Sequence, residues 1–329
     1  AGHLTEASGL LDDPAAQPAT ESTRTVAIAF GANLVVALAK TAAGVLSGSA
    51  SMAAEAAHSW ADTGNQAFLM VANHRGSRTA DRDRPLGYGR EAYVWSLLAA
   101  VGLFVVGGTV SVWRGVDELL SDRAADENYP VAYVVLGIAL VMESISWAQA
   151  VRQLRGTARS LDRAVLEYAM QTSDPTVRAV FAEDSAALVG IVLAFGGIGM
   201  HPLTGVAAWD AAGSILVGLL LGVVAVLLID RNRRFLTGQP GEPWLRDAVV
   251  ARIQELPEVA SVRFIRIEFV GPRQLFVVAS VDLEGDQVES RVAHTLRDLE
   301  RRLETNPHLV DVVLTIAEPA ELDDTGIER

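Results

Sequence analysis

In the stretch AAEAAHSWADTGNQAFLM, residues 53–70, His58 and Asp62 stand four apart inside a segment that otherwise reads as a membrane helix. That spacing places an imidazole and a carboxylate on one helical face, about 40° apart around the axis. A charged group at mid-bilayer costs roughly 2.5–3.5 kcal/mol on insertion scales, so such groups mark an ion path, a proton path or a bond to another helix. At this spacing both groups reach one cation, and the pair reads as a metal or proton site. A second stretch, AVFAEDSAALVG, offers Glu183 and Asp184 as partners. Neighbouring helical residues point about 100° apart. One of the two therefore faces the site, and the other carries protons, supports a ligand or contacts a helix; the spacing leaves open which. The chain has no cysteine, so any ligand set is built from imidazole and oxygen. Such a set suits Zn²⁺, and also Mn²⁺, Fe²⁺ or Co²⁺.

The elements that must position these residues are long and apolar. Half of the 329 residues are hydrophobic and the mean hydropathy is positive, which is unusual for a soluble domain. Six stretches suffice to span a bilayer, which takes about 20 residues each: 25–46, 50–73, 93–113, 130–151, 175–200 and 207–229. The second and fifth are the least hydrophobic, and they carry the ionisable groups. Arginines crowd the connections after the second, fourth and sixth stretches: Arg75, Arg78, Arg82, Arg84 and Arg90; Arg152, Arg155, Arg159 and Arg163; Arg231, Arg233 and Arg234. The opposite connections hold only Arg114 and Arg123. The positive-inside rule then puts both termini in the cytoplasm, in a multi-pass protein of a membrane such as the bacterial inner membrane. The net charge of −13 argues against nucleic acid as a partner. Residues 1–23 read as a disordered polar tail rather than a signal peptide.

After residue 236 the pattern turns soluble. GEPWLRDAVVARIQEL has helical periodicity, with Pro243 in its first turn. ASVRFIRIEFV and QLFVVASVDLE alternate and are joined by GPR, as in a hairpin. An amphipathic helix over QVESRVAHTLRDLERRLETN and a strand over LVDVVLTIAE follow. The order αββαβ suits a small sheet covered by two helices. The chain thus divides into a membrane domain over 24–236, a cytoplasmic domain over 237–318 and a tail over 319–329. No nucleophile–base set or phosphate loop is visible, so an enzyme is not expected.

From about Thr25 to Glu318 the chain resembles the cation diffusion facilitators, the divalent-metal/proton antiporters that include zinc transporters. The resemblance rests on SGSASMAAEAAHSWADTGNQ, on RPLGYGREAYVW, on WDAAGSILVG and on the order of the elements. It implies an α-helical membrane protein, a six-helix bundle followed by a cytoplasmic, ferredoxin-like α/β domain, assembled as a homodimer. It implies proton-coupled efflux of a divalent cation, Zn²⁺ first and Mn²⁺ or Fe²⁺ behind it, with no prosthetic group. The His-x-x-x-Asp motif of the family is met by His58 and Asp62. On the fifth span Val180 stands where the family commonly has histidine, so the implied site is His58, Asp62 and Asp184 completed by Glu183 or water, or has Glu183 as ligand if the register shifts. The sequence resembles a branch of the family with Glu-Asp in this position. A second family site, in the loop after span two, has Arg84 and Tyr88 at its histidine places beside Asp81, and no metal is expected there. Nor is a metal cluster expected in the cytoplasmic domain, whose histidines are His294 and His308. The alternative function is a non-transporting membrane scaffold or sensor that acts through the cytoplasmic domain.

The remaining polar residues read more plainly. Lys40 can snorkel or pair with a carboxylate in a structural or gating ion pair. Glu55 lies one turn before His58 on the entry path. Asp210 is expected to cap a helix or contact a loop rather than bind metal, and Glu143, with Ser144 and Ser146, to serve helix packing ahead of a proton path. His74 and His201 sit at span ends.

Overall fold

The computed structural model describes residues 23–120, 129–160, 163–206, 208–285 and 287–317. The expected tails, apart from Thr23, lie outside the described residues, as do Arg123 and Ala207. The chain divides into two compact units. One is formed by residues 21–75 and 92–233, the other by 76–91 and 234–329.

The first unit is helical. Helix α1 (Thr23–Ser47) ends at Gly48, which takes the left-handed φ of 71° that glycine reaches without penalty. The chain turns back at once into α2 (Ala50–Gly76), whose start is capped by the Ser49 hydroxyl, accepting from the Met52 amide at 3.1 Å. Helix α3 (Arg90–Gly102) runs through a π-helical stretch, Leu103–Thr109, into α4 (Val110–Leu120). Helices α5 (Tyr129–Ser160), α7 (Pro175–Thr204) and α8 (Ala208–Leu236) follow, with a short α6 (Val165–Gln171) that the sequence pattern does not reveal. Asp174 caps α7, accepting from the amides of Thr176 at 3.0 Å and Val177 at 3.3 Å, ahead of Pro175 in the first turn. Both features are standard start signals.

Among the described residues, four stretches are long and apolar enough to cross a membrane: Gly89–Leu120, Pro130–Gly156, Pro175–Thr204 and Ala208–Leu236. The shorter Asn33–Ser47 is apolar as well. Helix α2 falls short of that measure because Glu55, His58, Asp62, Asn65 and Gln66 dilute its apolar character. Glycines bring the helices close, as bundles in lipid require. A Cβ on Gly108 would lie 3.3 Å from the Gly218 carbonyl, and one on Gly115 would lie 2.6 Å from the Ala211 carbonyl.

In the second unit, α9 (Pro243–Gln254) precedes β1 (Val259–Gly271), β2 (Gln274–Leu283), α10 (Glu289–Leu303) and β3 (Leu309–Ile316). The sheet is mixed, in the order β1-β2-β3. The β1–β2 pair is antiparallel, with Ile265 opposite Ala279, and β2–β3 is parallel, with Val278 opposite Val313. Its core gathers Ala248, Ile253, Val277, Val281 and Leu299 from both helices and the sheet. Arg273, at φ 58°, turns the hairpin, and the His308 ring nitrogen Nδ1 lies 2.9 Å from the Arg273 carbonyl. That histidine is therefore occupied in bracing a turn.

Candidate metal centre

The position of α2 is set from another helix. Asp210 on α8 is fully buried. Its Oδ2 accepts from the Ala50 amide at 2.8 Å and its Oδ1 from the Ser51 amide at 3.2 Å. A carboxylate facing free N–H groups at a helix N-terminus satisfies donors and complements the dipole. The Ser51 hydroxyl also donates to the Asp210 carbonyl at 2.8 Å. Asp210 is thus a cap, as expected, although the helix it caps is α2.

Helices α2 and α7 pack antiparallel, and four contacts give the register. A Cβ on Gly197 would meet Ser51 Oγ at 3.0 Å, and one on Gly190 would meet Glu55 Oε1 at 2.7 Å. The Asn65 side-chain amide donates to Glu183 Oε2, and the Thr176 hydroxyl donates to Asn73 Oδ1 at 3.3 Å. As numbering rises on one helix it falls on the other, and the stretch of α2 holding His58 and Asp62 lies against residues 183–190 of α7.

His58 is buried at 1% exposure, with Nε2 3.4 Å from Asp62 Oδ2. Neither ring nitrogen has a hydrogen-bond partner among the described residues, and the same holds for Asp62 Oδ1, Asn65 Oδ1, Gln66 Oε1 and Glu183 Oε1. Buried polar atoms are ordinarily satisfied. A run of unsatisfied nitrogen and oxygen atoms at helical spacing is therefore a place suited to an ion, a proton or water.

The two acids of α7 part company, as their angular offset requires. Glu183 is buried and meets Asn65 of α2. Asp184 accepts from the Ser146 hydroxyl of α5 at 2.7 Å. Thus His58, Asp62 and Glu183 share the α2–α7 seam, while Asp184 is engaged toward α5. No three His, Asp or Glu side chains among the described residues already form a metal shell. Val180 packs on an apolar cluster with Leu69, Ala100, Ala179 and Leu228.

Two polar assemblies extend what the spacing revealed. Asn65, three residues past Asp62, holds Glu183; its place on the same helical face is the signal that finds it. Fully buried Arg178 donates to the Thr172 carbonyl at 2.7 Å and to Asn232 Oδ1 at 2.6 Å. Asn232 donates in turn to Ser96 Oγ at 3.1 Å, which ties α7, α8 and α3 together. Nothing in the hydropathy pattern marks this arginine as buried rather than solvated.

In the loop before α3, Asp81 accepts from the Tyr88 hydroxyl at 2.7 Å and from the amides of Arg84 and Asp83, each at 3.0 Å. The Tyr88 hydroxyl, first among these donors, holds the Asp81 carboxyl below the usual carboxylate range. The guanidinium carbons of Arg78 and Arg84 lie 4.4 Å and 5.0 Å from the centre of the Tyr88 ring. These cations occupy the surroundings of the carboxylate that stands at the family's loop site.

With this geometry in place, likeness to known proteins is informative. Residues 26–237 match the family model of the cation efflux transmembrane domain. The proton-coupled zinc antiporter SLC30A9, mitochondrial, of Xenopus laevis is 34% identical over 246 residues, covering 75% of this chain and 44% of that protein. Metal tolerance protein C4 of Arabidopsis thaliana is 33% identical over 267 residues, 81% of this chain and 58% of its own length. The zinc transporter ZitB of Escherichia coli is 24% identical over 285 residues, 85% of either chain. The chain thus spans about half the length of the first two. A multi-pass membrane protein with apolar helices, a polar seam on α2 and a small C-terminal mixed sheet, this chain belongs to the cation efflux family, the cation diffusion facilitators.

Proposed function

We propose that this protein moves a divalent transition-metal cation, Zn²⁺ first and Mn²⁺ or Fe²⁺ behind it, across a membrane in exchange for protons. The observation that carries the reading is the α2–α7 seam, where unsatisfied His58, Asp62 and Glu183 atoms lie inside the helical unit. Relatives named as zinc antiporters and zinc transporters support the choice of cargo. In this reading all six stretches, α2 included, cross the bilayer over 24–236, and the arginine-rich connections face the cytoplasm together with both termini. The domain over 237–318 is cytoplasmic and ferredoxin-like, and it joins two copies into a homodimer.

The coupling follows from the ligands. A neutral imidazole and ionised carboxylates bind a dication, and their protonated forms do not. Cytoplasmic metal binds His58, Asp62 and Glu183 or Asp184, and a modest rearrangement brings the α7 acid to the ion. On the opposite face, protons taken up by the imidazole and a carboxylate displace it, and the returning protons drive the next export. The test is zinc flux into proteoliposomes with and without a pH gradient. His58→Ala and Asp62→Ala each abolish flux while dimer assembly persists. Flux equal to wild type in both variants refutes the site.

A further inference from the structure

Lys40 on α1 and Glu55 on α2 are both fully buried, with Nζ 3.0 Å from Glu55 Oε2. Glu55 lies three residues from His58, about one turn and on the same face of α2. Its other oxygen, Oε1, has no hydrogen-bond partner among the described residues. That oxygen sits in a slot left open by Gly190 of α7, where a Cβ would come within 2.7 Å of it. The ion pair thus lies about one turn from His58 and two turns from Asp62 along α2. A pair kept only for stability is poorly explained by this arrangement. Buried ion pairs are often replaced by apolar residues without loss, and a structural carboxylate would have both oxygens satisfied.

We propose that Lys40 is a tethered competitor of the transported cation, and that Glu55 decides when it competes. While Glu55 holds the ammonium, a dication can occupy His58 and Asp62. When Glu55 lets go, the four-carbon stem of the lysine swings the ammonium toward Asp62, and a unit charge and a dication in one poorly screened site repel each other. The slot for Glu55 is cut into α7, so movement of α7 along α2 acts on the very carboxylate that restrains the lysine. Glu55 is accordingly a positioning residue that works through Lys40. The inference rests on the transport reading above.

The test measures zinc affinity by titration calorimetry on the purified full-length chain, and turnover in proteoliposomes. Glu55→Gln frees the ammonium and weakens zinc binding about tenfold or more; adding Lys40→Met restores it. The apolar pair Lys40→Met/Glu55→Leu, which is expected to fold even if the single variants do not, binds zinc at least as tightly as wild type and releases it slowly, so that turnover falls several-fold. Wild-type affinity in Glu55→Gln, or wild-type turnover in the apolar double variant, overturns the proposal. A wild-type protein that binds no more zinc than His58→Ala defeats the transport reading instead, so the two failures are told apart.

Discussion

Asp210→Ala removes the acceptor of two hydrogen bonds, at 2.8 Å and 3.2 Å, from the first amides of α2. Asp210 is fully buried, so water replaces neither bond. Hydrogen bonds to charged groups contribute about 1.5–3 kcal/mol each, and loss of an N-cap costs about 0.5–2 kcal/mol. The two bonds share one carboxylate and are not additive, which gives a loss of about 3 kcal/mol. At about 2–4 °C per kcal/mol for a domain of about 200 residues, Tm falls by about 6–12 °C. Asp210→Asn keeps one acceptor, sets an amide NH2 against the other donor and gives up a charge worth about 0.3–1 kcal/mol at a helix N-terminus, so its loss is at least half as large. Tryptophan fluorescence during heating of the detergent-solubilised protein reads both. The start of α2 lies about two turns from His58, so Asp210→Ala also weakens zinc binding, and Asp210→Asn weakens it less. A Tm for Asp210→Ala within about 2 °C of wild type would show that α2 is positioned by something else.

Three further expectations follow from particular contacts. Tyr88→Phe removes the main donor to Asp81, and the Asp81 carboxyl titration, followed by NMR, moves up toward the ordinary ~3.9. Because the folded value lies below the unfolded one, the contribution of this bond is present above the unfolded value and is lost as pH falls through the folded one; an unmoved titration contradicts the assignment. Gly115→Ala sets a Cβ 2.6 Å from the Ala211 backbone carbonyl, and thermal unfolding should show a loss of about 1–3 kcal/mol from overpacking, against the gain of about 1 kcal/mol that alanine brings to an exposed helix; a stabilised variant rules out the close α4–α8 approach. The chain has no cysteine, so Asn73→Cys/Thr176→Cys tests the α2–α7 register without background: a short thiol cross-linker joins the pair, whereas labelling without cross-linking denies the register.

Sequence and structure agree where one residue type decides the matter. His58 and Asp62 stand side by side on α2, as their spacing requires, and the split of Glu183 from Asp184 follows from helical angle alone. The C-terminal strands and helices are legible because their apolar periods are clean. Less could be read from residues whose role depends on a distant partner. Asp210, near the start of one helix, caps another; Asn65 matters through Glu183, and Arg178 is drawn inside by Asn232. The α2–α7 register rests on Gly190 and Gly197, whose contribution is the side chain they lack. Helix α2 is hard to read as a span because the residues that give it its chemistry lower its hydropathy.

X-ray absorption of the zinc-loaded protein tests the central claim most directly. The account predicts one zinc ion with a single imidazole nitrogen and otherwise carboxylate or water oxygens, at about 2.0–2.2 Å, and loss of the imidazole signal in His58→Ala. A shell with two or more imidazoles, or one unchanged by that substitution, would contradict it.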